Sequence, residues 1–432
     1  MNVHDSEKLA GALEREGYVP AVSVEQADVI LLNTCSIREK AAEKVFSELG
    51  RLKALKLENP RLVLGVCGCV GQQEGERIFQ RAPFVDLVLG PRATGALAST
   101  VTRIRSGDPT ARRFVDTAYR NDSIDFPYDE IRREGVSSGK AFVTIIEGCN
   151  HRCTYCIVPT TRGREVCRTM DSILDEVRGL ADRGIAEVEF LGQTVNAYRD
   201  QQGRNLAELL RSAAAVDGIR RIRFKTSHPA QMTDELMDAM AAAHPTVCPY
   251  LHLPVQSGSS AVLRSMRRGY DRERYLDKIE GLRRRIPDIS FGTDIIVGFP
   301  TETEHDFEQT LSLLDEVRFD TVYSFTYSPR PGTVAEQQTD DVPAETKNER
   351  LQRLQAHQRS IQEPRMQRWV GRQLEVLVEG TSRRTAERWS GRTPENRIVN
   401  FRGPAEAGRM EQIRITGASA FALSGEVLAG SA

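Results

Sequence analysis

The sequence contains no long hydrophobic run, and this absence sets the first limit on the protein. None of its apolar stretches approaches the roughly 20 residues that a membrane-spanning helix needs. The first residues, Met-Asn-Val-His-Asp-Ser-Glu, lack the apolar centre of a secretory signal. We therefore expect no membrane association and a cytoplasmic location.

The chain also has very little net charge. Its 59 basic and 60 acidic side chains give a formal net charge of −1. A field that attracts polyanions to the whole surface is therefore excluded, and any nucleic-acid site has to come from local clusters of basic side chains. The length of 432 residues predicts about three domains.

Cysteine is scarce and unevenly distributed, which disfavours a disulfide framework: there are eight in 432 residues. Three of them, Cys149, Cys153 and Cys156, form a C-x3-C-x2-C motif. Cysteine sulfur binds four-iron clusters, and three such ligands leave one iron open to a small molecule. The spacing therefore predicts a [4Fe-4S] cluster with an open iron. A zinc site is the alternative, but it needs a fourth nearby ligand, and His151 is awkwardly placed inside the loop.

Apolar runs alternate with amphipathic stretches over the first hundred residues, as in a parallel α/β sheet. Cys35 and Cys69 each follow a predicted strand. Open α/β folds bind their ligands at the carboxyl edge of the sheet. We therefore predict an N-terminal domain over residues 1–105 with both cysteines at that edge, followed by a polar linker over residues 106–134.

Six further β/α repeats are predicted over residues 135–366. They are too few for a closed eight-stranded barrel and predict a partial (β/α)6 barrel, with its reactive groups after the strands. Gln193 and Asn196 follow the second of these strands, and Asp294 lies in the fifth. These three side chains are candidates for contacting a cofactor, although Gln193 and Asn196 are explained equally well as loop caps.

Residues 369–432 contain five short β candidates separated by Gly, Pro and Ser. This pattern predicts a small all-β barrel of the oligonucleotide-binding kind, so the whole chain is of the α/β class with an all-β tail.

Several motifs together resemble the radical S-adenosylmethionine methylthiotransferases, over nearly the whole chain. They are Asp28-Val-Ile-Leu-Leu-Asn-Thr-Cys35, Glu147-Gly-Cys-Asn-His-Arg-Cys-Thr-Tyr-Cys-Ile-Val-Pro159, Leu191-Gly-Gln-Thr-Val-Asn-Ala-Tyr198, Leu251-His-Leu-Pro-Val-Gln-Ser-Gly258, Asp294-Ile-Ile-Val-Gly-Phe-Pro300 and Tyr327-Ser-Pro-Arg-Pro-Gly-Thr333. The Cys-Ile-Val-Pro-Thr-Thr-Arg-Gly-Arg-Glu run and the segment 391–401 favour the branch of the family that acts on tRNA.

The resemblance implies methylthiolation of carbon 2 of N(6)-isopentenyladenosine at position 37 of tRNA. Carbon 2 carries an unactivated C–H bond, and chemistry of this difficulty is carried by cofactors. By resemblance, Cys149, Cys153 and Cys156 hold the [4Fe-4S] cluster that reduces S-adenosylmethionine. Cys35 and Cys69 are then ligands of a second [4Fe-4S] cluster that supplies sulfur.

Further roles follow from the same resemblance. Gln193, Asn196 and Asp294 would contact S-adenosylmethionine, and the tail would be a TRAM domain that binds RNA. The implied partners are the tRNA anticodon stem-loop, an electron donor such as flavodoxin or ferredoxin, and a sulfur source.

Arginine clusters are candidate RNA contacts, because the guanidinium group suits phosphates and stacked bases. In the tail we expect Arg384 and Arg388 to bind RNA, and Trp389 either to stack on a base or to pack the small barrel. The other clusters are Arg162 with Arg164, Arg264 with Arg267 and Arg268, Arg283–Arg285, and Arg383 with Arg392.

The N-terminus departs from the family pattern. In the family, the first of three cysteines precedes a Met-Asn-x-x-Asp-Ser run, and here that run begins at Met1. The third ligand of the second cluster is therefore expected upstream of Met1, and the chain as written is expected to hold this cluster poorly. Cys67 is a possible substitute, but its C-x-C spacing to Cys69 makes it a poor one.

Three other functions fit part of the sequence. The same chemistry could act on threonylcarbamoyladenosine in tRNA, or on an aspartate of a ribosomal protein. A non-catalytic RNA-binding iron–sulfur protein would need only the tail and its arginines. The C-x3-C-x2-C motif argues against this last function, because binding alone does not require an open iron.

Overall fold

The computed structural model describes residues 1–35, 40–119, 131, 138–382 and 385–428. The described chain forms an α/β sheet, a partial β/α barrel and a small closed β barrel, in that order. This architecture confirms the predicted fold class. No helix among these residues has both the length and the apolar composition of a membrane span.

The N-terminal unit is a parallel sheet with the strand order β1-β2-β3-β4. Its elements are α1 (Asn2–Glu14), β1 (Val29–Thr34), α2 (Lys40–Glu58), β2 (Val63–Gly68), α3 (Cys69–Glu74), α4 (Arg77–Arg81), β3 (Leu87–Leu89), α5 (Leu97–Arg105) and β4 (Phe114–Asp116). Strands β2 and β3 are buried along their whole length, between apolar cores on both faces of the sheet. Their continuous apolar sequence follows from this double burial.

Strand β4 corrects the predicted linker. It pairs in parallel with β3 and so belongs to the N-terminal sheet, although it lies within the expected linker of residues 106–134. Only three residues long and half-buried, it has too little apolar periodicity to be recognised without its neighbour β3.

The central unit is the partial barrel. Its elements are β5 (Lys140–Thr144), β6 (Ile146–Glu147), α6 (Val158–Arg162), β7 (Val166–Cys167), α7 (Met170–Asp182), β8 (Glu187–Leu191), α8 (Leu206–Ala214), β9 (Arg221–Phe224), α9 (Asp234–Ala242), β10 (Tyr250–His252), α10 (Ser260–Ser265), α11 (Arg272–Arg285), β11 (Ser290–Val297), α12 (Glu304–Val317), β12 (Thr321–Thr326) and α13 (Ala344–Gln367). Six strands run parallel in the order β5-β8-β9 and β10-β11-β12, and a parallel bridge from Ile222 to Val247 joins the two halves. The predicted count of six repeats is confirmed.

One predicted helix is divided in two. The sequence predicts a single helix over residues 259–285, whereas α10 ends at Ser265 and α11 begins at Arg272. Between them the backbone turns at Arg267 (φ 55°) and Gly269 (φ 72°), and the Asp271 side chain then caps α11. This interruption carries Arg268 away from the helix surface.

Charged side chains line the inner face of the barrel, while apolar side chains on its outer face pack against the helices. Lys140, Glu187 and Arg221 share one register level across β5, β8 and β9. Glu187 accepts a hydrogen bond from Arg223 at 3.0 Å, and the next level holds Glu189, which accepts one from Lys140 at 2.5 Å. Each buried charge is thus paired, as burial in a protein interior requires.

The C-terminal unit is a closed five-stranded barrel with the strand order β13-β14-β15-β17-β16, as the tail pattern predicts. Its strands are β13 (Gln373–Ser382), β14 (Thr385–Arg392), β15 (Ile398–Arg402), β16 (Met410–Ala418) and β17 (Leu423–Val427).

The turn between β14 and β15 closes the amino-terminal end of the partial barrel. Arg223 donates hydrogen bonds to the carbonyls of Thr393 (2.7 Å) and Pro394 (2.8 Å), and Arg397 pairs with Asp320 at 2.7 Å. The small barrel is therefore attached through buried, charge-assisted contacts. The carboxyl end of the strands is the end left for ligands.

Candidate functional site

The three-cysteine motif lies in the loop between β6 and α6, which we call the cysteine loop (residues 148–156). It begins at Gly148, whose φ of 83° and close approach to the backbone of Arg164 leave no room for a side chain. The Cys149 N–H donates to the carbonyl of Gly163 at 3.1 Å, and the Thr154 N–H donates to that of Met266 at 3.1 Å. Backbone contacts therefore hold the loop at its start, at Cys149, and near its end, at Thr154.

The thiols of the cysteine loop lie close enough to influence one another. Burial raises the pKa of Cys149, and it raises that of Cys156 to about 12, with the neighbouring thiols adding to both shifts. Without a bound metal, Cys149 and Cys156 are therefore neutral thiols, and metal binding would draw off their protons. The chemistry of this donor set fits iron–sulfur ligation.

The geometry disfavours the zinc alternative. Among the residues that the structure describes, no group of three or more His, Cys, Asp or Glu side chains could hold a single metal ion. The ligands of a four-iron cluster bind different irons and need not converge on one point.

A buried arginine contacts the cysteine loop from the turn between α10 and α11. Arg268 is 5% exposed and donates a hydrogen bond from Nη1 to Cys153 Sγ at 3.2 Å. Its Nε donates to Tyr270 Oη at 2.9 Å, and its Nη2 donates to the carbonyl of Pro254 at 2.9 Å. The prediction that Arg268 belongs to an RNA-binding surface is wrong, because its guanidinium is buried beneath the loop.

Gln193 and Asn196 support the cysteine loop from the end of β8. Gln193 Oε1 accepts a hydrogen bond from the Gly148 N–H, directly before Cys149. Asn196 is 8% exposed, and its amide makes two hydrogen bonds with the backbone of His228, at 2.8 and 2.9 Å. His228 in turn stacks on His151 of the loop, with ring centroids 3.8 Å apart. The contacts made by these two side chains position the loop, and their cofactor contact stays a prediction.

Asp294 lies on the inner face of the barrel beside an aromatic side chain. Its Oδ1 is 3.2 Å from His252 Nε2, and the His252 ring meets Tyr323 edge-on with centroids 5.8 Å apart. Tyr323 and Phe325 on β12 remain 50% and 41% exposed, and they pair in register with Asp294 and Ile296. This strand therefore presents two open aromatic rings to the inner face.

The second pair of cysteines comes together at the carboxyl edge of the N-terminal sheet. Cys35 follows β1, and Cys69 begins α3 directly after β2. Hydrogen bonding with Cys35 lowers the pKa of Cys69 to about 6, and the nearby Arg162 guanidinium acts in the same direction against the effect of burial. Cys67, in contrast, is 1% exposed in an apolar core, and burial raises its pKa to about 12. Its surroundings disfavour it as a ligand.

Arg162 connects the two cysteine sites. It belongs to α6, which follows the cysteine loop, and it forms a two-bonded ion pair with Asp5 of α1 at 2.5 and 3.3 Å. Both side chains are buried, so the prediction of an RNA contact at Arg162 is also wrong.

The N-terminal unit also holds the other end of the cysteine loop. Lys8 pairs with Glu147 at 2.8 Å, and Arg92 donates to the backbone carbonyls of Glu147 (3.2 Å) and Arg164 (2.7 Å). Contacts from the N-terminal unit thus flank the loop on both sides, and the two cysteine sites are neighbours.

The RNA residues predicted in the tail have mixed outcomes. Arg384 lies outside the described residues. Arg388 is half-buried on β14, and Trp389 packs against the core of the small barrel, which was one of its two expected roles. Base stacking by Trp389 and RNA contact by Arg388 stay predictions.

Sequence reasoning missed Asp5, Tyr323 and the role of Arg268. Tyr323 lies in a strand where aromatic residues are common, so its exposure could not be read from the pattern. Asp5 is part of the Met-Asn-x-x-Asp-Ser run, and this motif could have indicated that Asp5 belongs to the site. For Arg268, the only signal was Gly269, which could have indicated a break between α10 and α11.

The chain matches three known family patterns. Residues 143–314 match the Radical SAM superfamily, residues 1–90 match the Uncharacterized protein family UPF0004, and residues 367–428 match the TRAM domain.

Similar proteins cover almost the whole chain. The tRNA-2-methylthio-N(6)-dimethylallyladenosine synthase of Alkalilimnicola ehrlichii is 48% identical over 438 residues, which cover 99% of this chain and 95% of that protein. The synthase of the same name from Alteromonas mediterranea is 47% identical, with 99% and 90% covered. That of Syntrophotalea carbinolica is 46% identical, with 96% and 94% covered.

Two solved structures share the fold. The radical S-adenosylmethionine methyltransferase TsrM from Kitasatospora setae superposes with a TM-score of 0.56 at 17% identity, covering 78% of this chain and 72% of that chain. The cobalamin-dependent S-adenosylmethionine radical enzyme OxsB superposes with a TM-score of 0.53 at 13% identity, covering 83% and 53%. At these identities the likeness concerns the fold alone.

Proposed function

The chain belongs to the tRNA-2-methylthio-N(6)-dimethylallyladenosine synthases, a family of radical S-adenosylmethionine methylthiotransferases, and from this membership we propose its reaction. It adds a methylthio group to carbon 2 of N(6)-isopentenyladenosine at position 37 of tRNA. The observation that carries the proposal is the identity of 46–48% to these synthases over nearly their full length. The two adjacent cysteine sites support it.

The cofactors are S-adenosylmethionine and [4Fe-4S] clusters. Cys149, Cys153 and Cys156 would hold the first cluster, which with S-adenosylmethionine supplies the radical chemistry that an unactivated C–H bond requires. The chain contributes the fixed loop and the buried cation Arg268 beneath it. Asp294 faces the same inner surface and is the candidate for orienting S-adenosylmethionine.

Cys35 and Cys69 would be ligands of the second cluster, which supplies sulfur. Two features support this role. Cys69 has a lowered pKa, which favours the thiolate that metals bind, and Arg162 joins its surroundings to the cysteine loop. Adjacent sites would let sulfur reach a substrate held at the barrel mouth.

The substrate adenine would lie against Tyr323 and Phe325 of β12. Exposed aromatic rings are stacking platforms for unstacked bases, and an adenosine beside the anticodon is displayed in a loop. The two rings pair in register with Asp294 and Ile296 on the inner face of the barrel. The small barrel of residues 369–432 would bind the anticodon stem through Arg388.

The proposed partners are the tRNA anticodon stem-loop, a one-electron donor of the flavodoxin or ferredoxin class, and a sulfur source. A tRNA substrate that is processed in the cell interior implies a cytoplasmic site of action.

The test uses anaerobically iron-loaded protein with S-adenosylmethionine, dithionite and isopentenylated tRNA. We expect 5′-deoxyadenosine, and mass spectrometry of the digested tRNA should show the methylthio group on the isopentenylated adenosine, in an amount set by how much of the second cluster is loaded. Parallel reactions with threonylcarbamoylated tRNA and with ribosomal protein test the alternative substrates. Product from either of these, and none from isopentenylated tRNA, would contradict the proposal.

A further inference from the structure

Arg268 is buried against the sulfur of Cys153. Within the described parts of the chain, no ion pair joins it to Asp or Glu, whereas the buried Arg223 and Arg397 pair with Glu187 and Asp320. Its contacts are the Cys153 sulfur, two tyrosine hydroxyls and the Pro254 carbonyl. A buried charge is costly unless it is paired, so the guanidinium of Arg268 needs a neighbouring anion to balance its charge.

The Cys153 sulfur is the contact that can become that anion. Tyr155 Oη is 3.4 Å from Nη1 of Arg268, and Tyr270 Oη accepts a hydrogen bond from its Nε. A phenol hydroxyl ordinarily carries no charge at physiological pH. A thiolate at Cys153, as in a cluster ligand, would place its charge 3.2 Å from the guanidinium.

We propose that Arg268 is a positioning residue that donates a hydrogen bond to the Cys153 thiolate of the iron–sulfur cluster and makes that cluster easier to reduce. The inference rests on the proposed cluster at the cysteine loop. Hydrogen bonds to cluster sulfurs and local charge set cluster potentials. An added electron increases the negative charge beside the guanidinium, so the cation stabilises the reduced form more than the oxidised form.

The experiment is a redox titration, monitored by electron paramagnetic resonance, of protein carrying Cys35→Ser and Cys69→Ser to remove the second site. At a fixed potential, Arg268→Gln should lower the ratio of reduced to oxidised cluster at least tenfold, which equals 59 mV for one electron. Arg268→Lys, which keeps the charge, should lie between this variant and the parent. The control Tyr270→Phe removes one other hydrogen bond of Arg268 and should leave the ratio within about twofold, because the cation stays.

The outcomes separate the two proposals. A parent protein that binds no iron at this loop would contradict the proposed function, since no cluster would exist to be tuned. Full iron content in Arg268→Gln with an unchanged potential would overturn the role of Arg268.

A second measurement covers the case in which Arg268→Gln fails to fold or to load iron. The parent is produced with arginine carrying ¹⁵N only in its guanidino group, loaded with iron and reduced. Hyperfine spectroscopy should then show ¹⁵N coupled to the cluster. No coupling from any guanidino nitrogen would also overturn the proposal.

Discussion

The two cysteine sites differ in how the chain builds them. Cys149, Cys153 and Cys156 come from one loop that backbone contacts hold within the barrel. Cys35 and Cys69 come from the ends of two neighbouring strands of another unit. A site within one loop can be recognised by spacing, whereas a site between strands depends on the sheet that aligns them.

Each site also has one buried arginine, and the arginines differ in their partners. Arg162 near Cys69 has its charge balanced by Asp5, while Arg268, among the residues that the structure describes, contacts the Cys153 sulfur, two tyrosine hydroxyls and a backbone carbonyl. The Asp5 pair joins two units, so the N-terminal site also depends on their docking. This contrast fits a loop site that accepts an electron and a second site that the docking of the two units places beside it.

The largest expected effect comes from removing one cysteine of each site. Cys153→Ser should abolish 5′-deoxyadenosine formation and the methylthio product together. Cys69→Ser should abolish the product but keep cleavage of S-adenosylmethionine, because the loop site lies in the barrel. Chromatography of both products checks this, with Cys248→Ala, a buried cysteine away from both sites, as the control. Normal product from Cys69→Ser would remove the distinction between the sites.

A smaller effect should follow from Asp5→Asn, which leaves Arg162 buried without a carboxylate. Breaking a buried pair in this way costs about 3–5 kcal/mol. The control Asp175→Asn breaks an ion pair with Arg178 in which both side chains are mostly exposed, and it should cost less than about 1 kcal/mol. Denaturant unfolding of the iron-free proteins measures both. Equal midpoints for the two variants would mean that the Asp5 pair does not hold the units together.

The smallest effect concerns Tyr323, one of the two exposed aromatic rings of β12 against which the substrate adenine is proposed to lie. Tyr323→Ala should weaken binding of the anticodon stem-loop by about 1–3 kcal/mol, because a stacking ring is lost. Tyr323→Phe keeps the ring and should bind almost as the parent does. Binding isotherms at one fixed salt concentration provide the comparison. Equal loss in both variants would assign the effect to the hydroxyl and not to stacking.

Most of the fold could be predicted because its signals are local. The spacing of apolar residues along the chain is enough to predict the strands β2 and β11 and the amphipathic helix α12. Strand β4 was missed because it is short and half-buried. The break between α10 and α11 was missed because the helical pattern on either side of Arg267 continues through it.

The candidate site also has one part that local spacing predicts and another that depends on distant residues. The C-x3-C-x2-C spacing was enough to predict the cysteine loop, since all three sulfurs belong to one segment. The sequence predicts RNA contacts for Arg162 and Arg268 because both lie in arginine clusters and arginine is usually exposed. Their burial depends on Asp5 and Cys153, which are distant in sequence.

The sequence by itself determined the cluster motif, the number of barrel repeats and the small β barrel at the end, because these depend on spacing and periodicity within short segments. Only the tertiary structure decided that Cys67 lies in a core while Cys69 faces Cys35, and that two arginines point at sulfur. The reason is physical: whether a charge or thiol is buried, and what it is buried against, is set by side chains from distant segments.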